Sequence, residues 1–106
     1  IVYSTDLEHP DDHLNPNVID IARDADVLII DAQFTDEQLP AHKGWGHSSW
    51  QQCVAVAEQA NVKKMILFHH SPANNDEAIR AIEKDAQAEF PNTIAARQGM
   101  EIKLPI

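Results

Sequence analysis

The sequence predicts a layered α/β domain, and three observations predict it. Short apolar runs, from Ile1 to Ser4, Val27 to Ile30 and Met65 to Phe68, are bounded by charged or turn residues, as buried strands are. Between them lie segments whose apolar residues recur at helical spacing. The resulting order, β, α, β, α, β, α, β, β, is the alternation that layers helices on a sheet.

The stretch from Met65 to Asp76 organises the rest. Its apolar run is flanked by Lys63-Lys64 and ends in His69-His70-Ser71-Pro72. Open α/β sheets bind ligands at the carboxyl ends of their strands. Histidine is the commonest metal ligand and the usual proton carrier near neutral pH. Taken alone, the pair is equally consistent with one ring satisfied in the core and the other solvated.

The remaining elements follow in order. Ile1 to Ser4 is β-branched and aromatic, hence a strand, and the polar stretch Leu7 to Asn17 is a loop. Asn17 is the expected cap of a short helix carrying Val18, Ile19 and Ala22 and ending near Asp24. Val27 to Ile30 forms a second strand closing on Asp31. Gln33 to Gly46 is loop, with Thr35-Asp36-Glu37 opening one helical turn before Pro40. Gly44-Trp45-Gly46-His47-Ser48-Ser49-Trp50 turns into a helix capped by Ser48 or Ser49, with Cys53, Val54, Ala57 and Ala60 on its apolar face. After the strand Met65 to His69, Asn74 or Asn75 caps a helix from Asp76 to Glu89, where Ala78, Ile79, Ile82 and Ala86 share a face and Phe90-Pro91 stops it. Thr93 to Arg97 and Met100 to Leu104 form a terminal hairpin that turns at Gln98-Gly99.

A chain of 106 residues is one domain or part of one. With 43% hydrophobic and 24% charged residues it is too apolar for disorder, and no apolar run approaches the ~20 residues of a membrane span. Seventeen acidic against eight basic residues, a formal charge of −9, argue that nucleic acid is not held by this segment, while a cation site is compatible. The single Cys53 excludes an intrachain disulfide and a zinc–thiolate cluster, which fits a cytoplasmic setting. Ile1-Val2-Tyr3 has no initiator Met and reads as a strand in progress, so the chain is expected to be the C-terminal part of a longer polypeptide.

Ionisable residues gather at strand ends and turns: Asp6 after Tyr3-Ser4-Thr5, Asp31 before Ala32-Gln33-Phe34, His69-His70 before Ser71-Pro72, and His47 at a helix start, where backbone N–H groups favour an anion. Parallel strands bring such ends to one sheet edge.

These residues resemble a known family. Tyr3-Ser4-Thr5-Asp6 is similar to a Tyr-Ser-Gly-Asp motif, with Thr5 in place of the glycine. Asp31-Ala32-Gln33-Phe34 is similar to an acidic strand end followed by Ala and Phe. Gly46-His47-Ser48-Ser49 is similar to Gly-His-Ser-Thr, and Leu67-Phe68-His69-His70-Ser71 to Leu-Thr-His-Phe-Ser. The set resembles the C-terminal half of a metallo-β-lactamase-fold hydrolase, in the phosphodiesterase branch of tRNA 3′-processing endonucleases and cyclic-nucleotide phosphodiesterases. The resemblance implies a C-terminal αβ half of a four-layer αββα fold, two divalent metal ions (zinc, with manganese as the other candidate), Asp6 as the bridging ligand and His69 as a ligand of one metal. It gives His47 the scissile phosphate. Asp31 then orients His47, the alternative being a loop cap on its own backbone. The family's His-x-His-x-Asp-His motif is nowhere in this sequence, so the implied partner is an N-terminal half, on the same or a separate polypeptide. Made alone, this fragment is expected to be inactive and to associate through its exposed packing face, with a homodimer as one form.

Other polar and aromatic residues have plainer readings. His9, His13 and His42 are expected to be solvated, although His9 can line the site; Glu8 and Asp11-Asp12 belong to an acidic loop. Trp45 and Trp50 either stack on a substrate base or pack the turn onto the helix, and Cys53 is a small buried hydrophobe. The function expected is metal-dependent hydrolysis of small phosphoesters, phosphodiesters or cyclic nucleotides, by a metal-activated water. Two alternatives are acyl hydrolysis of a thioester or lactone on the same scaffold, and a non-catalytic α/β binding module.

Overall fold

The structure, a computed structural model, describes residues 1–4, 8–10, 13–68 and 74–96. A four-stranded parallel sheet is built from β1 (Val2–Ser4), β2 (Leu28–Asp31), β3 (Met65–Phe68) and β4 (Thr93–Ala95), in spatial order β1-β2-β3-β4. The crossovers contain α1 (Pro16–Ala22), α2 (Trp50–Ala60) and α3 (Asp76–Glu89), and a short 3-10 helix, Leu39–His42, precedes α2. Register aligns Ser4 with Ile30 and Ile30 with Leu67, so the carboxyl ends of β1, β2 and β3 lie side by side.

The pleat divides the strand residues between two faces. Leu28, Ile30, Met65 and Leu67 join Ala22, Cys53, Val54, Val56, Ala57, Ala60 and Ala86 in one core between sheet and helices. Each of these four strand side chains contributes about 1.5–3 kcal/mol by leaving water. The alternate row, Tyr3, Ile29, Ile66 and Ile94, faces away from that core. Ile66 is buried, Ile29 and Ile94 are half-buried and Tyr3 is 60% exposed. A largely apolar sheet face therefore lies opposite the helices.

The local signals explain most element ends. Ser49 caps α2: its hydroxyl accepts from the Gln52 N–H at 3.0 Å, and the Gln52 side chain accepts from the Ser49 N–H at 3.1 Å. Asn61, left-handed at φ 57°, ends that helix. Asn75 caps α3, whose span matches the expected one.

Elsewhere the structure differs from expectation. The cap of α1 is Asn15, not Asn17, because Pro16 takes the first helical turn, where a missing N–H costs nothing. The turn expected at Thr35-Asp36-Glu37 is present, closed by the Gln38 N–H donating to Thr35 O at 3.0 Å, and a 3-10 helix continues from it over Leu39–His42, with Pro40 inside its first turn. Strand β3 is described to Phe68; His69 and the hairpin strand Met100 to Leu104 lie outside the described residues. Among the described residues no helix is long and apolar enough to cross a membrane.

Candidate active site

The edge formed by the carboxyl ends of β1 to β3 is organised around a buried carboxylate. Asp31 closes β2 with no solvent exposure. Its Oδ2 accepts from His47 Nδ1 at 2.7 Å, and its Oδ1 accepts from the N–H of Gln33 at 3.2 Å and of Ser48 at 3.3 Å. Asp31 thus combines both expected roles, capping its own loop and orienting His47. A carboxylate can only accept, so the His47 Nδ1 carries a proton and Nε2 is the ring nitrogen turned from Asp31.

Backbone bonds fix the His47 segment against the end of β2. The Phe34 N–H donates to Ser48 O at 3.1 Å and the Trp50 N–H to Phe34 O at 2.9 Å. The Phe34 ring meets His47 edge-on at 5.9 Å, and His42 stacks on Phe34 at 4.4 Å. His42 is therefore not simply solvated: half-buried, it donates Nδ1–H to Gln38 O at 2.8 Å. Trp50 is buried in the core, whereas Trp45 is 61% exposed and stands edge-on to His42 at 4.5 Å.

Cys53, buried as expected, donates Sγ–H to the Asp31 carbonyl at 2.8 Å. Burial pushes its thiol well above the usual range and the Asp31 charge adds to this, which makes it an inert prop for the end of β2.

The turn leading into His47 is held from the opposite side. Gly44 and Gly46 have φ of +86° and +84°, and a Cβ at either would meet nothing within 4 Å. Substitution there is therefore a pure backbone cost: Gly46→Ala is expected to destabilise the folded chain by about 1–2 kcal/mol in denaturant titration. Both glycine N–H groups donate to the Glu8 carboxylate, at 2.8 and 3.0 Å from Gly44 and 3.1 Å from Gly46. Glu8, expected in a solvated acidic loop, is instead a long-range anchor, and no local sequence signal marks a bond between positions so far apart.

His9 also departs from expectation: it is 5% exposed. Its Nδ1 accepts from the Asn15 N–H at 2.9 Å, which places its proton on Nε2, a buried atom without a hydrogen-bond partner among the described residues. Burial lowers its pKa, and the charge on exposed His13 adds to this. A lowered pKa means that the unfolded chain binds more protons than the folded one below the ordinary histidine range. Stability from this group is complete above about pH 6.5 and is lost as pH falls from there toward the depressed value. Denaturation followed from neutral to mildly acid pH should show this slope in the parent and a flatter one in His9→Gln.

His9, Glu8, Leu14, Leu39, Lys43 and Gln52 are among the residues lining a cavity of about 660 Å³. Neither Asp31 nor His47 is among its described lining residues, so it flanks the sheet-edge site and does not contain it.

The two expected metal ligands, Asp6 and His69, lie outside the described residues, as does His70. Among the described residues no group of three or more His, Cys, Asp or Glu is placed to hold a metal. In sequence, Asp6 follows Ser4 at the end of β1 after Thr5, and His69 directly follows Phe68 at the end of β3. A carboxylate and an imidazole are donor types that suit zinc or manganese, and two such groups are fewer than a dinuclear centre requires.

Comparison with known proteins agrees with this architecture. A family model described as a beta-lactamase superfamily domain matches residues 1–70. Ribonuclease Z of Gemmatimonas aurantiaca is 38% identical over 85 residues, covering 80% of this chain and 27% of that protein. The metallo-beta-lactamase fold protein YhfI from Bacillus subtilis superposes with a TM-score of 0.71 at 21% identity, covering 92% of this chain and 37% of that one. Human tRNase Z, short form, gives 0.64 at 23% identity, covering 94% and 32%. The chain spans 27% to 32% of the length of its curated relatives. It belongs to the beta-lactamase superfamily and carries the metallo-β-lactamase fold.

Proposed function

We propose that the chain forms the C-terminal αβ half of a metal-dependent phosphodiesterase that cleaves RNA. The observation that carries this reading is the His47–Asp31 pair, 2.7 Å apart at the edge where β1 and β3 lead into Asp6 and His69. The half-fold assignment is supported by the apolar sheet row Tyr3, Ile29, Ile66 and Ile94 opposite the helices, which suits packing against a second layer.

Asp6, through its carboxylate, and His69, through a neutral imidazole, are the residues of this chain that would hold the metal, zinc first and manganese second. Divalent ions bound there would supply Lewis acidity and lower the pKa of a water. His47, with Nδ1 held by Asp31, directs Nε2 to a phosphoryl oxygen or gives a proton to the leaving oxygen. Trp45, exposed near His47, offers a face on which an unpaired base stacks.

RNA is preferred over small phosphoesters because the curated relatives are ribonucleases by name. The expectation against a nucleic-acid partner rested on the charge of this segment, and a segment spanning 27% to 32% of such a protein does not set the field of the whole. The acidic balance of −9 is the observation that favours the second reading, a small phosphodiester or cyclic nucleotide. The discriminating experiment incubates the natural full-length polypeptide, supplied with zinc or manganese, with an RNA hairpin bearing a single-stranded 3′ extension and, separately, with a cyclic nucleotide. Chelator-sensitive cleavage of the RNA supports the first reading, and hydrolysis of the cyclic nucleotide alone would replace it with the second.

A further inference from the structure

We propose that Glu8 is a positioning residue that holds the turn before His47 and so fixes where His47 stands. This inference rests on the reading of His47 as the group that contacts phosphate.

The geometry is specific. Two N–H groups of one short turn, at Gly44 and Gly46, converge on a single carboxylate from a residue 36 and 38 positions earlier in the chain. Amides of one turn that converge in this way form an anion-binding concavity, and here the anion is the protein's own. Both glycines have positive φ, so the turn takes a shape that side chains disfavour. Gly46 directly precedes His47, and Ser48, directly after it, donates to Asp31. His47 is therefore clamped on both sides: Glu8 holds the preceding amide, while Asp31 holds the ring and the following amide.

The second half of the inference comes from where Glu8 sits. It follows Asp6 with only Leu7 between them. In sequence, the residue that holds the His47 turn lies two positions after the proposed metal ligand Asp6. Cutting the tie releases the turn before His47 and leaves the Asp31–His47 bond, which does not involve Glu8, in place.

The chemistry of the contact supplies the test. Glu8 Oε1 alone accepts from both Gly44 and Gly46, so the single amide oxygen of Glu8→Gln can keep both bonds. Glu8→Ala cannot, and Glu8→Asp is one methylene short of both. In the full-length polypeptide, Glu8→Ala and Glu8→Asp are expected to lower kcat by about tenfold to a hundredfold with KM within about threefold, the scale of a small misplacement. Glu8→Gln should recover kcat to within about threefold, with bound metal equal to that of the parent in every variant.

NMR supplies a readout that does not need turnover. Faster amide exchange at Gly44 and Gly46, with a moved His47 ring signal, is expected in Glu8→Ala and Glu8→Asp and not in Glu8→Gln. If the parent hydrolyses no phosphodiester, the proposed activity fails while the NMR comparison still decides the clamp. An unmoved His47 signal in Glu8→Asp, or Glu8→Gln as impaired as Glu8→Ala, would overturn the proposal.

Discussion

In the full-length polypeptide, with the RNA cleavage proposed for it, His47→Ala is expected to lower kcat by about a thousandfold, near 4 kcal/mol of transition-state stabilisation, while leaving metal content and fold intact. The side chain is only 15% exposed, and one ring nitrogen is committed to Asp31 at 2.7 Å. That bond fixes the ring's rotation, and the Phe34 edge at 5.9 Å adds a second constraint. The ring is thereby fixed beforehand, without the reorganisation a free imidazole would undergo. Substrates with different leaving groups separate its two candidate duties. If His47 protonates the leaving oxygen, the loss shrinks sharply for a nitrophenyl phosphodiester, whose leaving group needs no proton. If it binds a phosphoryl oxygen, the loss is similar for both substrates, and His47→Gln, which retains an N–H donor, recovers part of it.

The second large effect is expected at Asp31. Asp31→Asn should reduce kcat by about a hundredfold or more, since an amide nitrogen facing Nδ1 turns the ring's acceptor toward the protein and reverses the tautomer. Asn keeps one oxygen for the Gln33 and Ser48 N–H groups, so the fold should largely survive. Asp31→Ala removes the acceptor for both groups in a fully buried position and should cost about 1–3 kcal/mol for each group left without one. Kinetics on the Asn variant, beside denaturant titration of both, checks the separation: a catalytic loss without a comparable stability loss in Asn, and both losses in Ala.

How much of this was legible depends on how local each signal is. The strand Met65–Phe68 was readable because lysines and a proline turn bracket an apolar run, and α3 because Asn75, an acidic first turn and Phe90-Pro91 mark its ends. The parallel edge followed from the alternation of elements, and the family from short motifs spaced along the chain. The cap at Asn15 was missed because Pro16 supports a helix start that a scan for the first apolar residue places too late. His9 and Glu8 were misread for one reason: each sits in a stretch of Asp, His and Pro that looks solvated. Their burial and bonding come from partners elsewhere in the chain, Asn15 for one and the Gly44 and Gly46 amides for the other. Composition reports the average environment of a stretch, and single residues within it are placed by tertiary contacts.

The central claim is that Asp6 and His69 hold metal beside a His47–Asp31 pair that does not. Elemental analysis of the full-length polypeptide, purified without chelators and with zinc and manganese supplied, tests it directly beside Asp6→Ala, His69→Ala and His47→Ala. The expected result is about two ions per chain in the parent, fewer in Asp6→Ala and His69→Ala, and the parent value in His47→Ala. A parent without bound metal, or a His47→Ala variant that loses metal as the other two do, would contradict the account.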